Sequence, residues 1–330
     1  MDNLTPMMRQ YKTIKKKHKD CILFFRLGDF YEMFFDDAIL ASKELEITLT
    51  QRDCGGDEKA PMCGVPHHVS EVYVSKLVEK GYKVAICEQL EDPSLAKGIV
   101  ERDVIRIVTP GTITDLNVLD EKSNNYLVSI YIDNVGVGLS YVDSSTGEMY
   151  TTEYIGDMKT SYSFIIDELG KIFPSEVICN NVFIENKKVT KFIKNRINPF
   201  INIYDDDTIN KSDWIDIVLK HFKVNRLEEL GLKDKIYSVL STSKLIGYLY
   251  NTQKDSLEHI SELKYYESKE YMVLDINTRT NLEIHETIMS RKKKGALIWL
   301  LDKTSTAMGG RLIKKWLEKP LLNIEEIEKS

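Results

Sequence analysis

Apolar and polar positions change period along the chain, and the changes predict two folded parts and a helical continuation. Thr5-Pro6 pairs a capping hydroxyl with a proline at the first helical position, which predicts a helix running towards His18. The apolar run 21–27 has strand length and stops at Gly28-Asp29. A helix is expected over 36–45 and a strand over 47–51, whereas 52–66, with three Gly and two Pro, reads as a loop. Val69, Val72, Tyr73, Lys76, Leu77 and Lys80 keep a helical period that Gly81 would cap. Strands are expected at 82–90 and 100–109, on either side of an Asp92-Pro93 turn, and Pro110-Gly111 closes this part.

The second part opens with three strand-like runs, 126–133, 135–143 and 148–154. Asp133-Asn134 and the segment 144–147 (S-S-T-G) separate them as hairpin signals. Helix over 161–169, strand over 176–179 and helices over 214–222 and 236–252 follow, the pattern of an α/β sheet covered by helices. From about Tyr271 the period is helical, with helices expected at 277–289, 295–303 and from Ser305 to Lys319 before Pro320. That stretch is short for a self-contained bundle and reads as the opening of a larger helical domain.

Composition narrows the classes. A chain with 42% hydrophobic and 29% charged residues is neither disordered nor membrane-embedded. No apolar run approaches the roughly 18 residues of a spanning helix, and the polar start is no signal peptide, so a soluble cytosolic protein is expected. Five widely spaced cysteines without C-x-x-C suit free thiols. The net charge of −6 argues against general nucleic-acid binding, but its distribution does not. Six bases and no acid lie between Arg9 and Lys19, and nine bases against Asp302 and Glu318 lie between Thr287 and Pro320. Both segments read either as solvated helix faces or as places where phosphate is attracted.

The segment 28–32, G-D-F-Y-E, carries the most specific chemistry. Extended backbone would put Phe30 and Glu32 on one face and Tyr31 on the other. Phe30 could be core and Glu32 solvated. Alternatively the pair is a stacking wedge beside a hydrogen-bond acceptor for a base edge. A carboxylate near DNA is repelled by phosphate and would be kept there for a specific polar task.

The residues favour the second alternative through a resemblance. Segment 27–38, L-G-D-F-Y-E-M-F-F-D-D-A, resembles the signature of the MutS family of mismatch-recognition proteins. So do 61–67 (P-M-C-G-V-P-H), 83–89 (K-V-A-I-C-E-Q), 100–102 (V-E-R) and 106–112 (R-I-V-T-P-G-T). The resemblance resumes at 274–283 (L-D-I-N-T-R-T-N-L-E) and 309–312 (G-G-R-L). It is strong over 1–112 and 271–320, and loose but colinear between them.

The resemblance implies an α/β multidomain fold. It would comprise a mixed α/β mismatch-binding domain over 1–112, a linker over 113–125, a ribonuclease H-like α/β connector over 126–265, and the start of an α-helical lever domain over 266–330. Phe30 would enter the minor groove and stack on a mispaired base, and Glu32 would hydrogen-bond that base. Arg52 and Arg102 match positions near the DNA backbone, Lys76 is a weaker candidate, and Met62 would pack at the groove. The parent would be a bacterial, cytoplasmic, nucleoid-associated homodimer that uses ATP and Mg²⁺ and recruits a MutL-like partner. The segment alone is expected to be a monomer with weak DNA affinity and no cofactor.

Other chemistries compete. Cys54, Cys63, His67 and His68 have spacing that matches no compact zinc module, so no metal is expected there. Asp133, Asp143 and Glu148 lie near strand ends, where a metal-dependent nuclease of ribonuclease H-like fold would gather acids, but they also suit turns. No G-x-x-x-x-G-K-[ST] occurs, so no ATPase or other enzyme activity is expected of this segment. A MutS paralogue acting outside mismatch repair would usually lack the Phe-x-Glu pair.

Overall fold

A computed structural model describes residues 4–55, 59–91, 98–113, 124–204, 211–254, 257–267, 272, 274–318 and 320–328. The turn expected at Asp92-Pro93, most of the linker expected over 113–125, and Lys319 lie outside the described residues. The chain divides into two compact units, Met1–Val118 with Leu249–Leu257, and Leu119–Tyr248 with Glu258–Ser330.

The first unit runs α1 (Pro6–Lys17), β1 (Cys21–Leu27), β2 (Phe30–Phe34), α2 (Phe35–Leu45), β3 (Thr50–Asp53), β4 (Lys59–Pro66), α3 (Ser70–Glu79), β5 (Lys83–Gln89) and β6 (Arg102–Val108). Its mixed sheet has the order β3-β4-β2-β1-β5-β6, with only the β1–β5 pair parallel. Thr5 caps α1 by accepting from Met8 N–H. The apolar side of that helix, Met8, Tyr11 and Ile14, packs with Phe25, Phe34 and Ala60 on one sheet face. On the other face the Cys63 thiol donates to Ala38 O of α2. Buried Asp37 ties the layers together, accepting from Leu23 N–H at 3.0 Å, Lys15 Nζ at 2.8 Å and Tyr11 OH at 3.4 Å. Burial first, then the charge of Asp37, pushes the Tyr11 phenol far up.

The loop expected over 52–66 is instead a β-hairpin. β4 is an interior strand paired antiparallel with β2 and β3, and β3 starts at Thr50 where a strand over 47–51 was expected. Pro61 forgoes one ladder donor, and Gly64 is tolerated inside the strand because it faces the crowded centre of β2. Between β1 and β2 the chain reverses at Gly28, whose φ of +57° is one that a side chain disfavours. Gly28→Ala is expected to destabilise the unit by about 1–2 kcal/mol, read as a lowered urea midpoint.

The second unit contains β7 (Tyr126–Ile132), β8 (Gly136–Asp143), β9 (Met149–Ile155), α4 (Met158–Ile172), β10 (Glu176–Cys179), α5 (Asn181–Glu185), α6 (Lys187–Arg196), β11 (Phe200–Ile203), α7 (Lys211–Phe222), α8 (Ile236–Gln253, in this unit through Tyr248), β12 (Leu263–Tyr265), α9 (Ile276–Asn281), α10 (Leu297–Leu301), α11 (Ala307–Glu318) and α12 (Ile324–Ile327). The sheet order is β11-β10-β7-β8-β9-β12. β7–β8–β9 form an antiparallel meander, and β10, β11 and β12 each join in parallel. Ile165, Leu169 and Ile172 of α4 pack into the core built on Val128, Ile130, Leu139 and Val177.

Two buried polar groups are built into this unit. Ser140 Oγ lies 2.7–2.9 Å from the hydroxyls of Thr151, Ser241 and Thr242. Fully buried Glu168 accepts from Lys171 Nζ at 2.5 Å and from Tyr266 OH at 2.6 Å. The helix expected over 277–289 ends at Asn281. Glu283 adopts φ +48°, and its carboxylate accepts from Ile288 N–H at 2.7 Å, folding the chain into turns.

Candidate nucleic-acid interface

Directly opposed residues of antiparallel strands point to the same face. The register opposes Leu27 to Phe30, Phe25 to Glu32, Glu32 to Gly64, Phe30 to Pro66, and Arg52 to Ala60. Phe30, Glu32, Met62 and Arg52 therefore share the face that α1 covers through Phe25, Phe34 and Ala60. Beyond the helix that face is open, and Phe30 stands there 46% exposed. Period two sends Tyr31 and Met33 into the opposite side, where both are buried.

The turn that carries Phe30 is held from two directions. Arg26 Nε donates to Gly28 O at 2.6 Å, and His67 N–H donates to Asp29 O at 2.9 Å. Behind it, Tyr31 OH bonds Glu88, and Arg26 pairs with the same carboxylate at 3.2 Å. Burial, then that hydrogen bond and the negative charge of Glu88, push the Tyr31 phenol up. The bracing roles of Arg26 and Glu88 escaped the sequence reading, which placed Tyr31 on the opposite face without its partner and weighed His67 only as a metal ligand. The one available signal was Arg26, the single charge in an otherwise apolar strand.

Glu32 does not stand free. Arg52 Nη1 donates to Glu32 Oε2 from beyond β4, with the carboxylate side chain 16% exposed and the guanidinium side chain 40% exposed. Met62 is half-buried against the α1 core. Arg102 is buried, donating to Arg26 O at 2.8 Å, Val100 O at 2.9 Å and Gln10 Oε1 at 3.1 Å, with its guanidinium over the Phe25 ring. Burial pulls its pKa down. Its described partners make it an internal strut for this face. Lys76 lies on α3, exposed beside the Tyr73 ring, and is not brought together with the others.

The competing chemistries find other uses for their residues. Cys54 belongs to the α1-side core, whereas Cys63 faces α2. Among the described residues no three His, Cys, Asp or Glu side chains gather as a metal site. Asp133 accepts from Val135 N–H, Gly136 N–H and Tyr237 OH, and Asp143 from Ser145 N–H and Asn124 Nδ2, at opposite ends of the β7–β8 ladder. No described helix is long and apolar enough to cross a membrane.

Comparison with known proteins gives a consistent picture. Residues 5–117 match MutS domain I, 125–261 match MutS domain II and 277–329 match MutS domain III. The chain is 53% identical over 334 residues to the DNA mismatch repair protein MutS of Alkaliphilus oremlandii, covering all of this chain and 37% of that protein. It is 53% identical over 329 residues to that of Clostridioides difficile, covering 99% and 34%. The relative from Ruminiclostridium cellulolyticum is 50% identical over 328 residues, covering 99% and 37%. The chain thus spans 34–37% of the length of these relatives. With three successive MutS domains matched in order and half of all positions shared with proteins of that name, the chain belongs to the MutS family.

Proposed function

We propose that this chain recognises mispaired or unpaired bases in duplex DNA, with Phe30 entering the minor groove at a kinked step and Glu32 accepting a hydrogen bond from the mispaired base. The observation that carries the reading is an aromatic ring left 46% exposed on a clamped turn, with a carboxylate two residues on along the same face. A mispair has already lost pairing and stacking energy, so unstacking and kinking there cost less than at a matched step. One aromatic can then sense many lesions through deformability, without a base code. Arg52 and Met62, on the same face, flank the approach; Lys76 and Arg102 contribute less directly.

In this reading residues 1–112 are the mismatch-binding domain, and 126–265 a ribonuclease H-like connector, supported by the meander that leads into parallel β10 and β11. Residues 266–330 open a helical lever domain. ATP and Mg²⁺ use, homodimerisation, recruitment of a MutL-like partner and a cytoplasmic, nucleoid-associated life belong to the full-length protein. The turn-bound carboxylates Asp133 and Asp143 do not favour the nuclease alternative.

The test is fluorescence anisotropy of the full-length protein on duplexes carrying G·T, an unpaired T, or neither. Tighter binding to the two lesions is expected, and equal binding to all three would overturn the reading. Glu32→Ala is expected to reorder preference among lesions while changing matched-duplex affinity little. A uniform drop on every duplex would refute a base contact.

A further inference from the structure

We infer that Arg52 acts as a positioning residue for Glu32, fixing the carboxylate so that its remaining oxygen faces the base; this rests on the reading of Phe30 and Glu32 given above. Three observations carry it. First, Arg52 on β3 and Glu32 on β2 are not neighbouring strands, since β4 runs between them. The register sets Glu32 opposite Gly64 and Arg52 opposite Ala60, so the two side chains meet diagonally across β4. A Cβ at Gly64 would lie 3.4 Å from Glu32 Cγ and 3.2 Å from Tyr31 O, so the glycine leaves the Glu32 side chain uncrowded on its β4 side.

Second, the bond engages Glu32 Oε2 only, and among the described residues Oε1 has no hydrogen bond. A carboxylate can accept on both oxygens. One is therefore anchored, and the other is left, on the face that carries Phe30, for a donor on a base.

Third, the pair is partly exposed, so its contribution to fold stability is small. Its consequence lies in geometry and charge. Anchoring selects one carboxylate orientation before DNA arrives, and the guanidinium cancels the negative charge that phosphates would repel. A glutamate with free rotamers would be ordered only on binding, weakening discrimination between bases that do and do not offer a donor.

This role differs measurably from a phosphate contact. A phosphate-bound arginine adds affinity to every duplex alike and contributes about one unit to the salt slope. A positioning arginine changes the ratio of lesion to matched affinity and does so only through Glu32.

The experiment is a double-variant cycle in the full-length protein with Arg52→Gln, Glu32→Ala and the two combined, alongside Arg52→Lys and Phe30→Ala. Dissociation constants for G·T, unpaired-T and matched duplexes are measured across a range of salt concentrations. Arg52→Gln is expected to lower the lesion-to-matched ratio roughly fivefold, leave the matched-duplex salt slope unchanged, and add nothing once Glu32 is alanine. Arg52→Lys, which keeps the charge without the planar fork, should restore part of the ratio. Equal weakening on all duplexes with a shallower salt slope would overturn the inference in favour of a phosphate contact. Additive losses in the combined variant would overturn it as well. If Phe30→Ala and Glu32→Ala both keep the full lesion preference, the site reading itself fails, whatever Arg52 does.

Discussion

Replacing Phe30 with alanine is expected to abolish lesion preference while leaving weak, salt-sensitive binding to any duplex. Stacking of an aromatic on a base contributes on the order of 1–3 kcal/mol, so roughly tenfold or more of the lesion affinity should disappear. Little of the folded state should change with it. The ring is 46% exposed, and the turn beneath it is held by main-chain carbonyls that Arg26 and His67 bind, not by the ring. The variant should therefore unfold at nearly the wild-type temperature. A large drop in that temperature together with unchanged lesion preference would mean that Phe30 is structural. Anisotropy on G·T and matched duplexes, with a thermal melt of the same preparations, measures both.

The largest expected effect on stability lies in the second unit, at Lys171. Lys171→Met leaves Glu168 fully buried with its ammonium partner gone, and removing one member of a buried pair costs about 3–5 kcal/mol. The expected result is a sharply lowered urea midpoint at neutral pH. Removing the polar group as a whole is a different experiment. Glu168→Leu, Lys171→Met and Tyr266→Phe together leave no uncompensated charge and no orphan hydroxyl at the two bonds described, and most of the lost stability should return. If the triple variant is as unstable as Lys171→Met alone, packing around α4, and not the charge, is what the lysine supplies.

Elements with strong local signals were legible in the sequence, whereas those held by tertiary pairing were not. The helix opened by Thr5-Pro6, the strand 21–27 and the meander of β7 to β9 follow from a cap, an apolar run and turn residues at the right spacing. The β3–β4 hairpin was hidden by its own composition, since three glycines and two prolines read as a loop until β2 and β3 supply pairing on both sides. β11 and β12 span four and three residues, lack the unbroken apolar run that marks β10, and exist by joining β10 and β9. The helix expected over 277–289 shows the opposite error, where no local stop signal marks Asn281 and the turns that follow depend on the Glu283 carboxylate.

The candidate site divides in the same way. Period two and the turn at Gly28 place Phe30 and Glu32 on one face, but it was the resemblance to the MutS family that favoured a base-contacting pair over a core ring and a solvated carboxylate. The partners that hold them come from elsewhere in the chain: Arg52 on β3, Gly64 on β4, His67 after it and Glu88 on β5. Arg102 entered through the resemblance alone, and that its guanidinium lies inside the unit against backbone carbonyls depends on residues far along the chain.

The clamped turn beneath Phe30 has a kinetic consequence. Because Arg26 and His67 already fix the carbonyls of Gly28 and Asp29, this turn would not have to become ordered in the proposed encounter with DNA. Encounter with matched and mispaired duplexes should then proceed at similar speed, governed by diffusion and charge. Discrimination would reside in how long each complex survives, so that a mispair is distinguished by its residence time.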